Sequence, residues 1–360
     1  MNTQQLTQAN NSTTSSNIPL IAGPCSAETR EQVLSIAESL SSQDIKYFRA
    51  GIWKPRTRPG SFEGVGTEGL QWLKEVKETF GLKTCTEVAN AAHTKAALEA
   101  GIDMLWIGAR TSANPFAVQE IADTVKGHDI PIYIKNPINP DLNLWIGAIE
   151  RFQKAGIKEI GAIHRGFSSF ADIDYRNEPQ WQIPIDLKEA FPNIPLVCDP
   201  SHIGGKRDFI QPISQKAMDL NFDGLMIETH LHPDDAWSDA KQQITPDKLN
   251  DIIQSIVIRK TTLDNGNTNE LEMLRENISE VDTELLNILE KRMKISEQIG
   301  EFKRKNGLMI LQSQRWQSIK SSNEQVALKR NLSPRFVNDI YSCIHQESIS
   351  VQEKIVGLQE

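Results

Sequence analysis

The chain has 360 residues, more than one hydrophobic core of ordinary size accommodates, so one large and one small domain are expected. Its 39% apolar and 24% charged residues are those of a globular protein, and a net charge of −8 argues against a nucleic-acid-binding surface while leaving room for a local basic pocket. No apolar stretch approaches the ~18 residues of a membrane span, the polar start MNTQQLTQANNSTTSSN does not read as a secretory signal, and four scattered cysteines suggest reduced thiols and a cytoplasmic address.

Residues 1–17 read as a disordered tail. From 18 to 260, short apolar runs alternate with amphipathic ones. The strand-like runs are Pro19–Pro24, Ile45–Ile52, Lys83–Val88, Met104–Ala109, Ile132–Asn136, Glu159–His164, Ile194–Pro200 and Gly224–His230. Helix-like stretches such as ETREQVLSIAESLSS and TEGLQWLKEVKETFG lie between them. The last of these is TPDKLNDIIQSIVIRK, with Thr245 as N-cap and Pro246 at the first helical position. Eight strands and eight helices in alternation predict an α/β fold of the TIM (β/α)8 barrel type. A doubly wound open sheet is the alternative, because alternation alone does not show closure.

Residues 261–269 contain DNGNTN, a polar break suited to a linker. From 270 to 360 the pattern becomes all-α. Leu271, Leu274, Ile278, Val281, Leu285, Ile288, Arg292, Ile295, Ile299 and Phe302 step by threes and fours, a heptad seam on one helix of roughly 35 residues. Two further helices are expected, about 312–330 and 334–356. So long an apolar seam cannot be covered within one small domain, so a three-helix domain that dimerises by intertwining is expected.

Barrel enzymes place reactive residues where strands end. Cys25, Lys54, Glu87, Arg110, Lys135, Arg165, His202 and Glu228 all stand at such ends. One charged residue after a strand is ordinary helix-start polarity; this many on one rim is not explained by solvation. Arg49, Lys54, Arg56, Arg110, Lys135 and Arg165 form a cationic set suited to phosphates and carboxylates. Cys25, His202 and Glu228, completed by Asp239, offer thiolate, imidazole and carboxylates, a donor set better suited to a transition metal than to calcium. Each also has a plainer reading: Cys25 as core, the acids as salt-bridge partners.

The motifs GPCS (Gly23–Ser26), FRAGIWKPRT (Phe48–Thr57), GAR (Gly108–Arg110), IKNP (Ile134–Pro137), HRG (His164–Gly166), DPSHIGG (Asp199–Gly205) and SDAKQ (Ser238–Gln242) occur in this order. Together they resemble the 3-deoxy-D-arabino-heptulosonate 7-phosphate (DAHP) synthases of the compact-barrel bacterial class. The resemblance implies one divalent transition metal, manganese favoured, held by Cys25, His202, Glu228 and Asp239. It places Arg49, Lys54, Arg110, Lys135 and Arg165 around phosphoenolpyruvate, and Lys54, Pro55, Arg56 and Thr57 on erythrose 4-phosphate. The related synthase for 3-deoxy-octulosonate 8-phosphate, which takes arabinose 5-phosphate, typically carries Lys-Ala-Asn-Arg-Ser at that segment, so the motif favours the four-carbon sugar. His164 stands where many relatives carry Glu, which puts an acid–base role there in doubt. The first motif begins too early for the N-terminal regulatory domain of many relatives. Gly204-Gly205-Lys206-Arg207 also reads as a generic phosphate loop.

In the helical segment, Arg292 occupies a seam position where the pattern asks for Leu or Ile. A buried unpaired guanidinium costs several kcal/mol, so it should meet an anion or water there. Lys303 returns to nearly the same face about three turns later. On the last helix Ser348 interrupts an apolar run, with Gln352 one turn on; a register-setting polar residue is the alternative for any one of them. LRENISEVDTELLNILEKR (Leu274–Arg292), then Lys303, Arg315, Ser348 and Gln352, resemble the all-helical chorismate mutases. That resemblance assigns Arg275 of a partner chain, Arg292 and Arg315 to the carboxylates of chorismate. It assigns Lys303 and Gln352 to the ether oxygen, and Ser348 to binding, with no cofactor. Gln312 and Trp316 replace residues commonly acidic there. The two resemblances together imply a bifunctional enzyme of aromatic amino-acid biosynthesis, with prephenate as feedback effector. A helical domain serving only as a regulatory, dimerising module is the alternative.

Overall fold

The structure is a computed structural model that describes residues 18–54, 60, 62–169, 174–260 and 268–357, with side chains described from 271 in the last segment. The expected tail, Pro55, Arg56 and Thr57, and most of the expected linker lie outside the described residues. The chain divides into two compact units, Met1–Thr261 and Thr262–Glu360.

In the first unit eight strands pair in parallel, each with the next, and the last returns to the first: β1 (Leu20–Gly23), β2 (Tyr47–Arg49), β3 (Thr84–Val88), β4 (Met104–Ile107), β5 (Ile132–Lys135), β6 (Ile160–His164), β7 (Leu196–Cys198) and β8 (Gly224–Glu228). The β1–β8 register, Leu20↔Leu225 through Gly23↔Glu228, closes the barrel and excludes the open-sheet alternative. Successive strand residues face opposite sides. One set (Ile21, Tyr47, Cys85, Met104, Trp106, Tyr133, Ile163, Val197 and Met226) fills the barrel interior as a cluster of its own. The other set packs outward on the helices α1 (Arg30–Leu40), α2 (Glu68–Phe80), α3 (Ala91–Glu99), α4 (Ala109–Ser112), α5 (Pro115–Val125), α6 (Leu142–Lys154), α7 (Gln182–Ala190), α8 (Pro200–Gly204), α9 (Ile210–Asp219) and α10 (Pro246–Ser255). Interior packing is tight: a Cβ on Gly161 would lie 2.7 Å from the Tyr133 ring.

The strict alternation expected from sequence is interrupted twice. Short α4 and α8 follow β4 and β7 directly, before the longer packing helices. Both begin with the residues of motifs, GAR and DPSHIGG, so the extra turns hold Arg110 and His202 at the strand ends. The N-cap expected at Thr245 holds, and Asp199 supplies a second, unexpected one. Thr245 accepts from the Lys248 amide at 3.2 Å, and Asp199 caps α8 by accepting from the His202 amide at 3.0 Å.

The second unit consists of α11 (Thr268–Asn306), α12 (Ser313–Lys329) and α13 (Pro334–Val356). At 39 residues α11 is about 58 Å long by the rise of an α-helix. Both α11 and α12 pack on α13. The seam of α11 stays largely bare: Ile278, Val281 and Ile288 are each 63% exposed and Leu285 is 53% exposed. No helix among the described residues is long and apolar enough to cross a membrane.

Candidate active sites

The C-terminal strand ends of the barrel bring two groups of side chains together. The first is a ligand set. One donor atom each from Cys25, Glu228 and Asp239 lies within 4.8 Å of the others, and His202 Nε2 is 3.7 Å from Glu228 Oε1. Cys25 follows β1, Glu228 ends β8, His202 sits in α8 after β7, and Asp239 lies in the loop after β8. Gly23, at φ +141, brings β1 so close to β2 that a Cβ would meet the Arg49 carbonyl at 2.1 Å. That close approach is available only to glycine.

The β8 loop is pinned to the barrel around this set. Ser26 and Ser238 share a 2.5 Å hydrogen bond, and the Trp237 amide donates to Glu28 at 2.8 Å. Gln243 accepts from the Cys25 amide at 3.0 Å. Arg207 donates to the Gln243 and Ala240 carbonyls at 2.8 and 2.9 Å. Arg207 thus braces the loop, which removes much of the support for a phosphate loop at Gly204–Arg207. Asp239 holds a left-handed backbone (φ 48°), a conformation that Asp tolerates better than most residues.

Charge balance in the ligand set is tight. Burial would raise the Glu228 carboxyl, but His202 and Arg49 hold it below its usual range. Asp239 is likewise held low against its burial, by Arg176 at 3.0 Å, by His202 and by Lys54. The Cys25 thiol is pushed up to about 12 by burial and by Glu228. The thiol and two carboxylates of Cys25, Glu228 and Asp239, close to one another, with the His202 imidazole next to Glu228, fit a divalent transition ion, which would displace the thiol proton.

The second group is cationic and adjoins the first. Arg49 is 1% exposed, lies 3.1 Å from Glu228, and stacks over Trp106 at 5.0 Å. Its Nε and Nη1 are buried with no hydrogen-bond partner among the described residues. Lys54 donates to the Cys25 carbonyl at 2.7 Å and to its Sγ at 3.1 Å. Lys135 bonds Asp199 at 2.8 Å. Arg165 donates to Asn177 at 2.7 Å, and burial lowers its guanidinium to about 10, with Arg176 and Arg110 acting in the same direction. Arg110 itself is exposed. Buried donors without acceptors cost about 1–3 kcal/mol each, a cost that a bound anion removes. The Arg49 donors are the clearest sign of an anionic ligand.

Three contributors escaped sequence reasoning. Asp199 accepts from His202 and Lys135 together, and Gln242 donates to Glu228 at 2.7 Å. Arg176 reaches Asp239 and Gln242 from the segment after β6. His164, by contrast, is enclosed by Trp145, Phe167, Trp181 and Phe222, with burial and Arg165 pushing it down to about 3. It is a neutral packing residue. Glu87 accepts from the Trp106 indole at 3.1 Å.

In the helical unit, Arg292 of α11 donates to Ser348 of α13, and Lys303 donates to Gln352 at 2.9 Å. Lys303, Ser348 and Gln352 are all buried, and burial lowers the Lys303 ammonium below its usual range. His345 stacks on Trp316 at 4.0 Å, and burial together with Arg292, Lys303 and Lys320 keeps its imidazole low. Four of the six residues expected in the second site therefore meet between α11 and α13. The other two do not: Arg315 is exposed on α12, and Arg275 is exposed on α11, paired with Glu272 at 2.6 Å. A cleft of about 320 Å³ is lined by Ile295, Gln298, Ile299, Phe302, Lys303, Leu308 and Gln312.

Comparison with known proteins divides the chain in the same way. Residues 7–263 match the DAHP synthetase I family, and residues 274–353 match chorismate mutase type II. A phospho-2-dehydro-3-deoxyheptonate aldolase of Thermotoga maritima is 30% identical over 237 residues, covering 66% of this chain and 68% of that protein. A 2-dehydro-3-deoxyphosphooctonate aldolase of Wolinella succinogenes is 28% identical, covering 66% of this chain and 97% of its own. The crystal structure of phospho-2-dehydro-3-deoxyheptonate aldolase (DAHP synthase) from Thermotoga maritima superposes with a TM-score of 0.60 at 29% identity, over 66% of this chain and 67% of that one.

Proposed function

The chain belongs to the DAHP synthetase I family and carries a C-terminal chorismate mutase type II domain, a bifunctional enzyme of aromatic biosynthesis, and from that premise we propose which residues carry its two reactions. Arg49, Lys54, Lys135 and Arg165, with Arg110 at the rim, receive the phosphate and carboxylate of phosphoenolpyruvate. The supporting observation is the pair of unpartnered Arg49 donors beside the ligand set. Cys25, His202, Glu228 and Asp239 hold a divalent metal, manganese being the first candidate. When bound it would act as a Lewis acid on the aldehyde of erythrose 4-phosphate. The cations fix the enol phosphate so that its methylene carbon faces that aldehyde, a positioning contribution. As the carbon–carbon bond forms, the aldehyde oxygen takes a proton. Water then adds at the former enol carbon, and phosphate leaves by carbon–oxygen cleavage. Lys54, whose Nζ is 3.1 Å from Cys25 Sγ, is the proposed carrier of protons between the two substrates. Lys54, Pro55, Arg56 and Thr57 form the proposed grip on the sugar phosphate, by motif. The four cysteines are all unpaired, in keeping with a cytoplasmic setting.

Relatives of both sugar specificities match the barrel, so the choice of sugar is the decisive experiment. Phosphate release from phosphoenolpyruvate is expected with erythrose 4-phosphate and not with arabinose 5-phosphate, and it should stop on chelation and return with manganese(II). Turnover of the five-carbon sugar at an equal rate would reject the assignment.

For the second reaction, Arg292, Arg315 and the partner's Arg275 hold the two carboxylates of chorismate, while Lys303 and Gln352 face its ether oxygen and Ser348 supports binding. The rearrangement needs only the compact conformer and stabilised charge on that oxygen. The bare α11 seam is covered by a second copy of the chain. Accordingly, Leu285→Glu should convert dimer to monomer in light scattering and remove mutase activity, because the site loses the partner's arginine. A dimer that persists would place the interface elsewhere.

Prephenate, the mutase product, is the proposed feedback effector of the synthase. It must bind two global states with different affinity to act so. Synthase rate in the full-length protein should fall as prephenate rises, and Arg292→Ala should blunt the response. Unchanged kinetics would end the feedback proposal.

A further inference from the structure

Asp199 is fully buried and belongs to neither group of the barrel site, yet it touches both. One carboxylate accepts from three donors: the His202 amide at 3.0 Å, His202 Nδ1 at 2.8 Å through the nearer oxygen, and Lys135 Nζ at 2.8 Å. Each of the three is a donor toward it, so the acceptor demand is complete and no orientation of an amide could meet it. With the Nδ1 proton committed to Asp199, His202 must present Nε2 as a lone pair whenever its ring is neutral, and that atom faces Glu228 at 3.7 Å. The same carboxylate fixes Lys135, which also lies 6.0 Å over the Trp106 ring that carries Arg49.

We infer that Asp199 is a positioning residue that sets the His202 tautomer and ties it to Lys135, so that the ion site and the anion site are built as one unit. This rests on the metal and phosphoenolpyruvate assignments proposed above. Second-layer carboxylates on ligating histidines act in this way generally, orienting the ring and raising its basicity. Here the same group is shared with a substrate cation, so its loss should be felt on both sides.

Asp199→Asn is the informative variant, because asparagine still caps α8 and so spares the fold. Its amide must turn NH2 toward Lys135 or toward the imidazole, breaking one contact or reversing the tautomer. Cobalt(II), followed by thiolate charge-transfer absorption, should bind the variant roughly 10–100-fold more weakly than the parent. Phosphoenolpyruvate, titrated by calorimetry without metal, should also bind more weakly. Equal cobalt and phosphoenolpyruvate affinities in a variant that melts like the parent would overturn the inference. A second measurement needs no variant of Asp199. In metal-free parent protein labelled with 15N-histidine, at about pH 8, the resonance lost in His202→Gln should be that of an Nδ1–H tautomer. An Nε2–H tautomer would also overturn it. Parent protein that takes up no cobalt would remove the metal assignment instead, and the tautomer would then decide the role of Asp199 alone.

Discussion

Cys25→Ala should lower the synthase rate by roughly a thousandfold, equivalent to ~4 kcal/mol of transition-state stabilisation, and should leave the mutase untouched. The Cys25 thiol is enclosed with Glu228 and Asp239 on one side and Lys54 on the other. Alanine removes one donor of four and the only soft one, so the affinity for a transition ion falls most. A single sulfur atom leaves a small cavity, so the barrel should survive. The comparison to make is phosphate release and bound metal, side by side, in parent and variant. In the parent an ion must displace a thiol proton held at about 12, so apparent metal affinity should rise with pH through the neutral range. A Cys25→Ala protein that is stripped of metal and still fully active would defeat the assignment, since no role of the thiol would then remain beyond filling space.

Much of this site is visible in the chain before any coordinates, and the reason is topological. Parallel strands with helical crossovers bring every strand end to one rim, so residues scattered through the barrel segment can be gathered by reading the positions just past each apolar run. Closure is different. It rests on the β1–β8 register between partners more than half the chain apart, which no local pattern encodes. Burial also misleads in one dimension, since Cys25 is as enclosed as Cys85 and Cys198, and only its neighbours separate a ligand from core. Asp199 shows the harder limit. Asp199 caps α8, a local role, but its hold on Lys135, 64 residues away, has no signature in spacing. Arg176 and Gln242 lie in irregular segments, where periodicity is silent. In the helical unit, Arg292 stands out because it breaks an apolar seam, whereas the Trp316–His345 stack joins two helices whose mutual register the sequence does not state.

Arg292→Ala should reduce mutase kcat/KM by roughly a thousandfold while leaving the helices folded. Arg292 lies at the α11–α13 contact, where it donates to Ser348, and Ser348 in turn donates to the Ile344 carbonyl at 2.8 Å. Its loss removes a charged donor from a partly dry site, a change of the kind that costs about 10²–10³ in rate when an anionic transition state is at stake. Alanine introduces no buried charge, and Ser348 keeps its carbonyl partner, so the fold has little to lose. A pH profile gives the independent check. The Lys303 ammonium, lowered by burial, must keep its proton to face the ether oxygen. A lowered group gives up its proton earlier as pH rises, so kcat/KM, which reports the free enzyme, should decline on the alkaline side before an ordinary lysine would titrate. Lys303→Gln should abolish that limb, and Arg292→Ala should keep it at reduced height. Chorismate turnover in Arg292→Ala within about tenfold of the parent would mean that the carboxylates are held elsewhere, and the α11–α13 contact would then be structural.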